Sequence, residues 1–141
     1  ENNLKKLIEE YGLVDRVILT GEIQGKNYNE QYSKIINLYR SSNLYISTSY
    51  IESFGNSCLE ALGTGLPVIV GKYHGISDVV LENQTGWIMK NDMKDELLEM
   101  ILYIYKNKER FSDSSEMIKT SVSNLSWESI SNKILNVYKN L

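Results

Sequence analysis

Cysteine, histidine and proline each occur once in this sequence, as Cys58, His74 and Pro67. A lone cysteine excludes an internal disulfide, and with a single histidine it cannot build a zinc site of the usual Cys/His kind. That cysteine usage fits a reducing, cytoplasmic setting. The 15 basic residues are outnumbered by 18 acidic ones, for a net charge of -3. Nucleic-acid binders carry a basic footprint, so no nucleic-acid partner is expected. No apolar run approaches the roughly 20 residues that span a membrane, and no signal-peptide pattern is present. The P-loop pattern G-x-x-x-x-G-K-[ST] is absent. Gly63-Thr-Gly65-Leu-Pro67 follows a helical stretch, precedes an apolar one and lacks the third glycine of a dinucleotide fingerprint. The triplets at Asn83 and Asn124 match the glycosylation pattern but are read as chance, since nothing else indicates secretion. The chain does not begin with Met and opens directly in a helical pattern at Leu4, so the first residue is expected to be a cut and not a natural start.

What is present is a short alternation of apolar strands and amphipathic helices. Leu4, Leu7, Ile8 and Tyr11 recur at helical spacing, with Gly12 as C-cap. Val17-Ile18-Leu19 reads as a short buried strand and Ile23 to Glu30 as a polar loop. Tyr32, Ile35, Ile36 and Tyr39 predict a second helix. Leu44 to Ser47 is the next strand, Thr48 to Gly55 a loop, and Ser57 to Leu62 a short helix. Val68 to Val70 is a compact strand closed by Gly71. A loop from Lys72 to Gly75 leads to a helical turn near Ser77 to Val80. Gly86 to Met89 reads as a strand. Leu97 to Tyr105 and, more weakly, Phe111 to Ser121 read as helices. Ser126 is placed to cap a last helix that carries Ile130, Ile134, Leu135 and Tyr138. The order implies α/β with a parallel sheet and flanking helices. The tyrosines at 32, 39, 103, 105 and 138 read as core or interface.

The stretch from Glu52 to Val68 carries the chemistry. It joins a strand end to a helix start, and in open α/β sheets ligands bind in that crevice. A helix N-terminus offers free N–H groups to a diphosphate, and Gly55 would let the backbone approach closely. Glu60, expected in the first helical turn, could accept hydrogen bonds from a ribose diol. Glu52, before the turn, could support positive charge developing at an anomeric carbon. Each has a plainer reading: Glu60 as a dipole partner, His74 as an ordinary loop histidine, Cys58 as a small buried filler.

This stretch resembles the E-x7-E signature of family-4 retaining glycosyltransferases, approximately E-G-F-G-x-x-x-x-E-A-x-A-x-G-x-P-V. The flanks agree in order and spacing. Residues 12 to 21, 38 to 45, 74 to 80, 83 to 88 and 126 to 128 are each similar to successive segments of that family, so the resemblance covers nearly the whole chain. It implies a Rossmann-like parallel sheet, as part of the C-terminal, donor-binding domain of a GT-B enzyme. It also implies sugar transfer from a nucleotide-diphosphate donor, with retention and without a metal ion or cofactor. By the same resemblance Glu52 touches the donor sugar at the reacting centre, and Glu60 binds the ribose hydroxyls. Phe54, Gly55, Asn56 and Ser57 hold sugar and phosphate, Gly21 flanks the base, and His74 and Gly75 lie near the phosphates.

Departures are mild: Ser53 for Gly, Gly63 for Ala, His74 for the first glycine of a pair, and Asp78 for Glu. The family's first donor-domain strands, their Gly-Arg and Lys cations and the acceptor domain have no counterpart here, so the chain alone is expected to be inactive. Without those strands, Val17 to Leu19 would lose its neighbours. A rearranged sheet, or pairing with another copy through exposed strand edges, is then expected. The expected partners are the donor and, through the rest of the enzyme, a glycan or glycoconjugate acceptor in polysaccharide or cell-envelope synthesis. Peripheral association with the inner face of the membrane is compatible with that role. Two alternatives share the architecture, a sugar-nucleotide epimerase and a non-catalytic half that scaffolds a partner transferase.

Overall fold

The computed structural model describes residues 2–90, 93–111 and 114–140. They fall into two compact units, residues 1–35 and 36–141. The elements are α1 (Asn2–Glu10), α2 (Tyr28–Ser41), β1 (Tyr45–Ile46), α3 (Asn56–Gly63), β2 (Val68–Gly71), β3 (Gly86–Met89), α4 (Met93–Lys106), α5 (Lys108–Phe111), α6 (Ser115–Ser121) and α7 (Trp127–Lys139). A 3-10 turn at Gly75–Asp78 follows β2, starting two residues earlier than its sequence pattern suggests.

In the larger unit the sheet order is β1-β2-β3, with both pairs parallel. The register aligns Tyr45 with Val68 and Gly86, and Ile46 with Ile69 and Trp87. Because strand side chains alternate, β2 serves two cores at once. Val68 and Val70 meet Cys58, Ala61 and Leu62 of α3 and Ile118 of α6. Ile69 meets Trp87 and Met89, covered by Leu97, Ile101 and Ile104 of α4. Helices therefore cover both faces, which is why β2 reads as an unbroken apolar run and is wholly buried. The α/β class with a parallel sheet and flanking helices is the one expected.

Two local expectations, the Ser126 cap and the Gly12 stop, hold with their mechanism visible. Ser126 Oγ accepts the Ser129 N–H at 3.2 Å and caps α7. Gly12 sits at φ +62, with Gly12 N–H to Glu9 O and Leu13 N–H to Ile8 O, the paired bonds of a Schellman C-cap. Asn83 closes the turn before β3 at φ +62, and its side chain accepts the Trp87 indole N–H at 3.1 Å. Thr85 of the same triplet is buried and accepts the Leu81 N–H.

Others do not hold. Val17–Leu19 is neither a strand nor buried: Ile18 is 85% exposed, and the segment joins no sheet. A lone apolar run gains nothing from extension without a ladder partner. Helix α2 begins at Tyr28, inside the expected loop, because Asn27 Oδ1 accepts the Glu30 N–H and starts the helix early. The single helix expected from Phe111 to Ser121 is instead α5, ending at Phe111, and α6, starting at Ser115, with residues 112–113 outside the described residues. No helix among the described residues is long and apolar enough to cross a membrane.

Candidate functional site

The loops leaving β1 and β2 continue the parallel pairing beyond the strands. Glu52 and His74 form a parallel bridge. The Gly75 N–H donates to Glu52 O at 3.1 Å, and the Ile76 N–H to Phe54 O at 2.8 Å. This close approach requires a glycine: a Cβ on Gly75 would lie 2.3 Å from Ser53 O. The His74 ring is 2% exposed, and its Nε2 lies 2.6 Å from Ser49 O. A carbonyl only accepts, so Nε2 donates to it, and the buried Nδ1 has no hydrogen-bond partner among the described residues. His74 thus braces the loop at 49–54 from beneath.

Gly55 follows at φ +96, ψ 61, a left-handed conformation natural to glycine, and is the N-cap of α3. No side chain caps this helix start. Around it opens a cavity of about 320 Å³, lined by Glu52, Phe54, Gly55, Asn56 and Ser57, with Ser47 on the strand side. Cys58 closes its floor. Burial pushes that thiol above the ordinary range, so it stays protonated as a small apolar filler.

Five of the expected site residues, Glu52, Phe54, Gly55, Asn56 and Ser57, are therefore gathered around one cavity at the carboxyl end of the sheet. His74 and Gly75 lie behind it as supports. Glu60 is displaced from its expected place. Since α3 starts at Asn56, Glu60 is its fifth residue, past the first turn, half-buried and outside the cavity lining. There its Oε2 accepts from the Tyr39 hydroxyl at 3.3 Å. Gly21 belongs to residues 1–35, is exposed with φ +58, and is not among the lining residues.

Ser47 and Ser49 were not singled out as site residues from sequence, and Tyr39 was read only as core or interface. The serines follow from their place at and beyond a strand's C-terminal end. Tyr39 carried no local signal, because its partner Glu60 is 21 residues away. A larger cavity of about 970 Å³, lined among others by Leu44, Leu66, Pro67, Ile101 and Ile104, lies at the amino ends of β1 and β2. Parallel sheets bind ligands at the opposite end, so the smaller cavity is the candidate site.

Similarity to known proteins identifies the family and the fold. The family model described as glycosyl transferases group 1 matches residues 1–123. The lipopolysaccharide core biosynthesis mannosyltransferase LpsB of Rhizobium meliloti is 27% identical over all of this chain and 38% of its own length. The D-inositol 3-phosphate glycosyltransferase of Rhodococcus jostii is 26% identical over 75% of this chain and 24% of its own. Among solved structures, sucrose-phosphate synthase from Thermosynechococcus elongatus superposes with a TM-score of 0.81 at 26% identity, over 99% of this chain and 33% of that one. Anabaena HepE, solved in complex with UDP and glucose, superposes with a TM-score of 0.80 at 20% identity, over 99% of this chain and 36% of that one. The chain thus spans less than two fifths of the length of these relatives. It belongs to the group 1 glycosyl transferases, with the parallel α/β architecture of GT-B enzymes.

Proposed function

We propose that the cavity at Gly55 binds a nucleotide-diphosphate sugar and that the whole enzyme transfers the sugar to a glycan or glycoconjugate acceptor with retention. One observation carries this reading. An uncapped helix start, opened by a left-handed glycine, shares a cavity wall with Glu52, and Glu60 stands one turn further along the same helix. The first-turn N–H groups of α3 suit a diphosphate. Glu60 is suited to accept from the ribose diol, and Glu52 to face the anomeric carbon as its bond to the diphosphate breaks. No metal or cofactor takes part in this scheme. The LpsB relative supports a role in polysaccharide or cell-envelope synthesis, and the UDP complex of HepE supports the donor class. Cytoplasmic action at the inner face of the membrane follows from that role. Acceptor binding is assigned to the rest of the enzyme, and self-association to exposed strand edges.

The two glutamates test the proposal in the whole enzyme. A ribose contact exists in ground and transition states alike, so Glu60→Gln is expected mainly to raise the donor KM. The lost charged hydrogen bonds are worth roughly 1.5–3 kcal/mol, or about 10- to 150-fold. Glu52→Gln is expected mainly to lower kcat. The opposite pattern would exchange their roles, and near-wild-type kinetics in both folded variants would remove the site.

A further inference from the structure

We propose that Tyr39 is a positioning residue, whose hydroxyl holds the Glu60 carboxylate in the orientation that receives the ribose diol. This rests on the reading of Glu60 given above. The geometry is specific. Tyr39 projects from α2, half-buried against the core that also holds Leu62 and Val68. Its ring meets that of Tyr45 edge-on, with centroids 5.8 Å apart at 73°. Packing of this kind leaves the ring little freedom, so the hydroxyl is delivered to a fixed point. There it donates to Glu60 Oε2 at 3.3 Å.

An ionised carboxylate only accepts, and it has sites for about four hydrogen bonds on its two oxygens. One donor on Oε2 restricts the rotation of the carboxylate and leaves Oε1 for a ligand. A glutamate on the second turn of a helix otherwise has several rotamers of similar energy, and restricting them before binding lowers the entropy cost of binding. Burial, and after it the negative charge of Glu60, hold the Tyr39 hydroxyl well above the ordinary tyrosine range, so it remains a donor across the pH range of any assay. Glu60 gains an orienting partner that the E-x7-E spacing does not contain. The position of Tyr39 on α2 is then set by the site as well as by the core.

The test compares Tyr39→Phe, Glu60→Gln and the double variant in the whole enzyme, with UDP, GDP and their 2′-deoxy analogues titrated by calorimetry. Phenylalanine keeps the ring and removes only the hydroxyl, so the melting temperature serves as the control for a purely structural role. For the nucleotide that binds, Tyr39→Phe is expected to weaken the ribonucleotide by about 2- to 12-fold, the range of one hydrogen bond. It should change the 2′-deoxy analogue much less, and add little once Glu60 is already glutamine. In kinetics the donor KM should rise while kcat stays. Equal losses for ribo and deoxy nucleotides, or additive losses in the double variant, would overturn the positioning role while leaving Glu60 at the ribose. If Glu60→Gln itself leaves ribonucleotide affinity unchanged, or neither nucleotide binds the wild type, the site assignment fails, and this role with it.

Discussion

Val17-Ile18-Leu19 and Val68-Ile69-Val70 are nearly the same tripeptide with opposite fates. The second is the centre of the sheet, with every residue at 0% exposure. The first lies outside any strand, with Ile18 mostly exposed. Composition does not separate them; neighbours do. Val68–Gly71 has a parallel partner on each side and a helix layer on each face. Residues 2–35 contain no buried residue and are organised by local bonds: the Schellman cap at Gly12, Asn27 to Glu30, the Gln31 side chain to Ile23 O, and Lys34 to Gln24 O and Glu30. Strand propensity expresses fit to a half-made surface, and without that surface it has little effect.

The sharpest way to break this contrast is to cut the same side chain in both places. Ile69→Ala is expected to destabilise by about 2–5 kcal/mol through the cavity it leaves. Ile18→Ala should fall within about 0.5 kcal/mol of wild type. Denaturant unfolding measures both, and similar losses would mean that Val17–Leu19 is structurally engaged after all. Next in size is Gly75→Ala. Its Cβ would press on the Ser53 carbonyl, which is backbone and cannot swing aside. A loss of about 1–3 kcal/mol is expected, with weaker nucleotide binding as the loop at 49–54 is pushed away. Unchanged stability and binding would show that the joined loops yield freely.

Ser126→Ala removes the cap of α7 and should lower the free energy of unfolding by about 1 kcal/mol. An unchanged unfolding midpoint would show that α7 does not depend on this bond. The smallest effect concerns residues 2–35. The Lys26 N–H, and after it Lys34, hold the Glu30 carboxyl below its ordinary value. A lowered pKa contributes stability above the unfolded value, and that contribution is lost as pH falls through the folded one. Acid titration followed by NMR should therefore loosen the start of α2, with Lys26 and Glu30 amides shifting together. Independence of the two signals would break the link.

The sequence was most legible where one element's signal sits within a few residues. Val68 to Gly71, Gly86 to Met89, the Ser126 cap and the Gly12 stop all have this form, and all stand as expected. The turn around Gly55 was legible for the same reason, since glycine, loop and helix start are consecutive. Glu60 was placed one residue too early in its helix, the fourth instead of the fifth, because helix boundaries shift by a residue or two without changing the pattern. The bracing by His74 and the bond from Tyr39 could not be read at all. Each joins residues more than 20 positions apart through side chains whose types are common in cores. The extent of the sheet was also illegible, since a strand is defined by what lies next to it.

Helices α3 and α7 begin differently, and the difference bears on how this protein would respond to occupancy. Helix α7 brings its own side-chain acceptor in Ser126, which takes the Ser129 N–H. At α3 the corresponding position is a glycine with no side chain to offer. On the reading proposed above, a bound diphosphate would accept from the Asn56 and Ser57 N–H groups, the Cys58 N–H being already taken by Gly55 O at 3.0 Å. Fold and ligand then draw on one set of hydrogen-bond donors, and the melting temperature becomes a readout of occupancy. At a ligand concentration 100 times its Kd, the gain would be about 2.7 kcal/mol. A serine at position 55 would strain this left-handed backbone, which does not offer the extended geometry that side-chain capping needs.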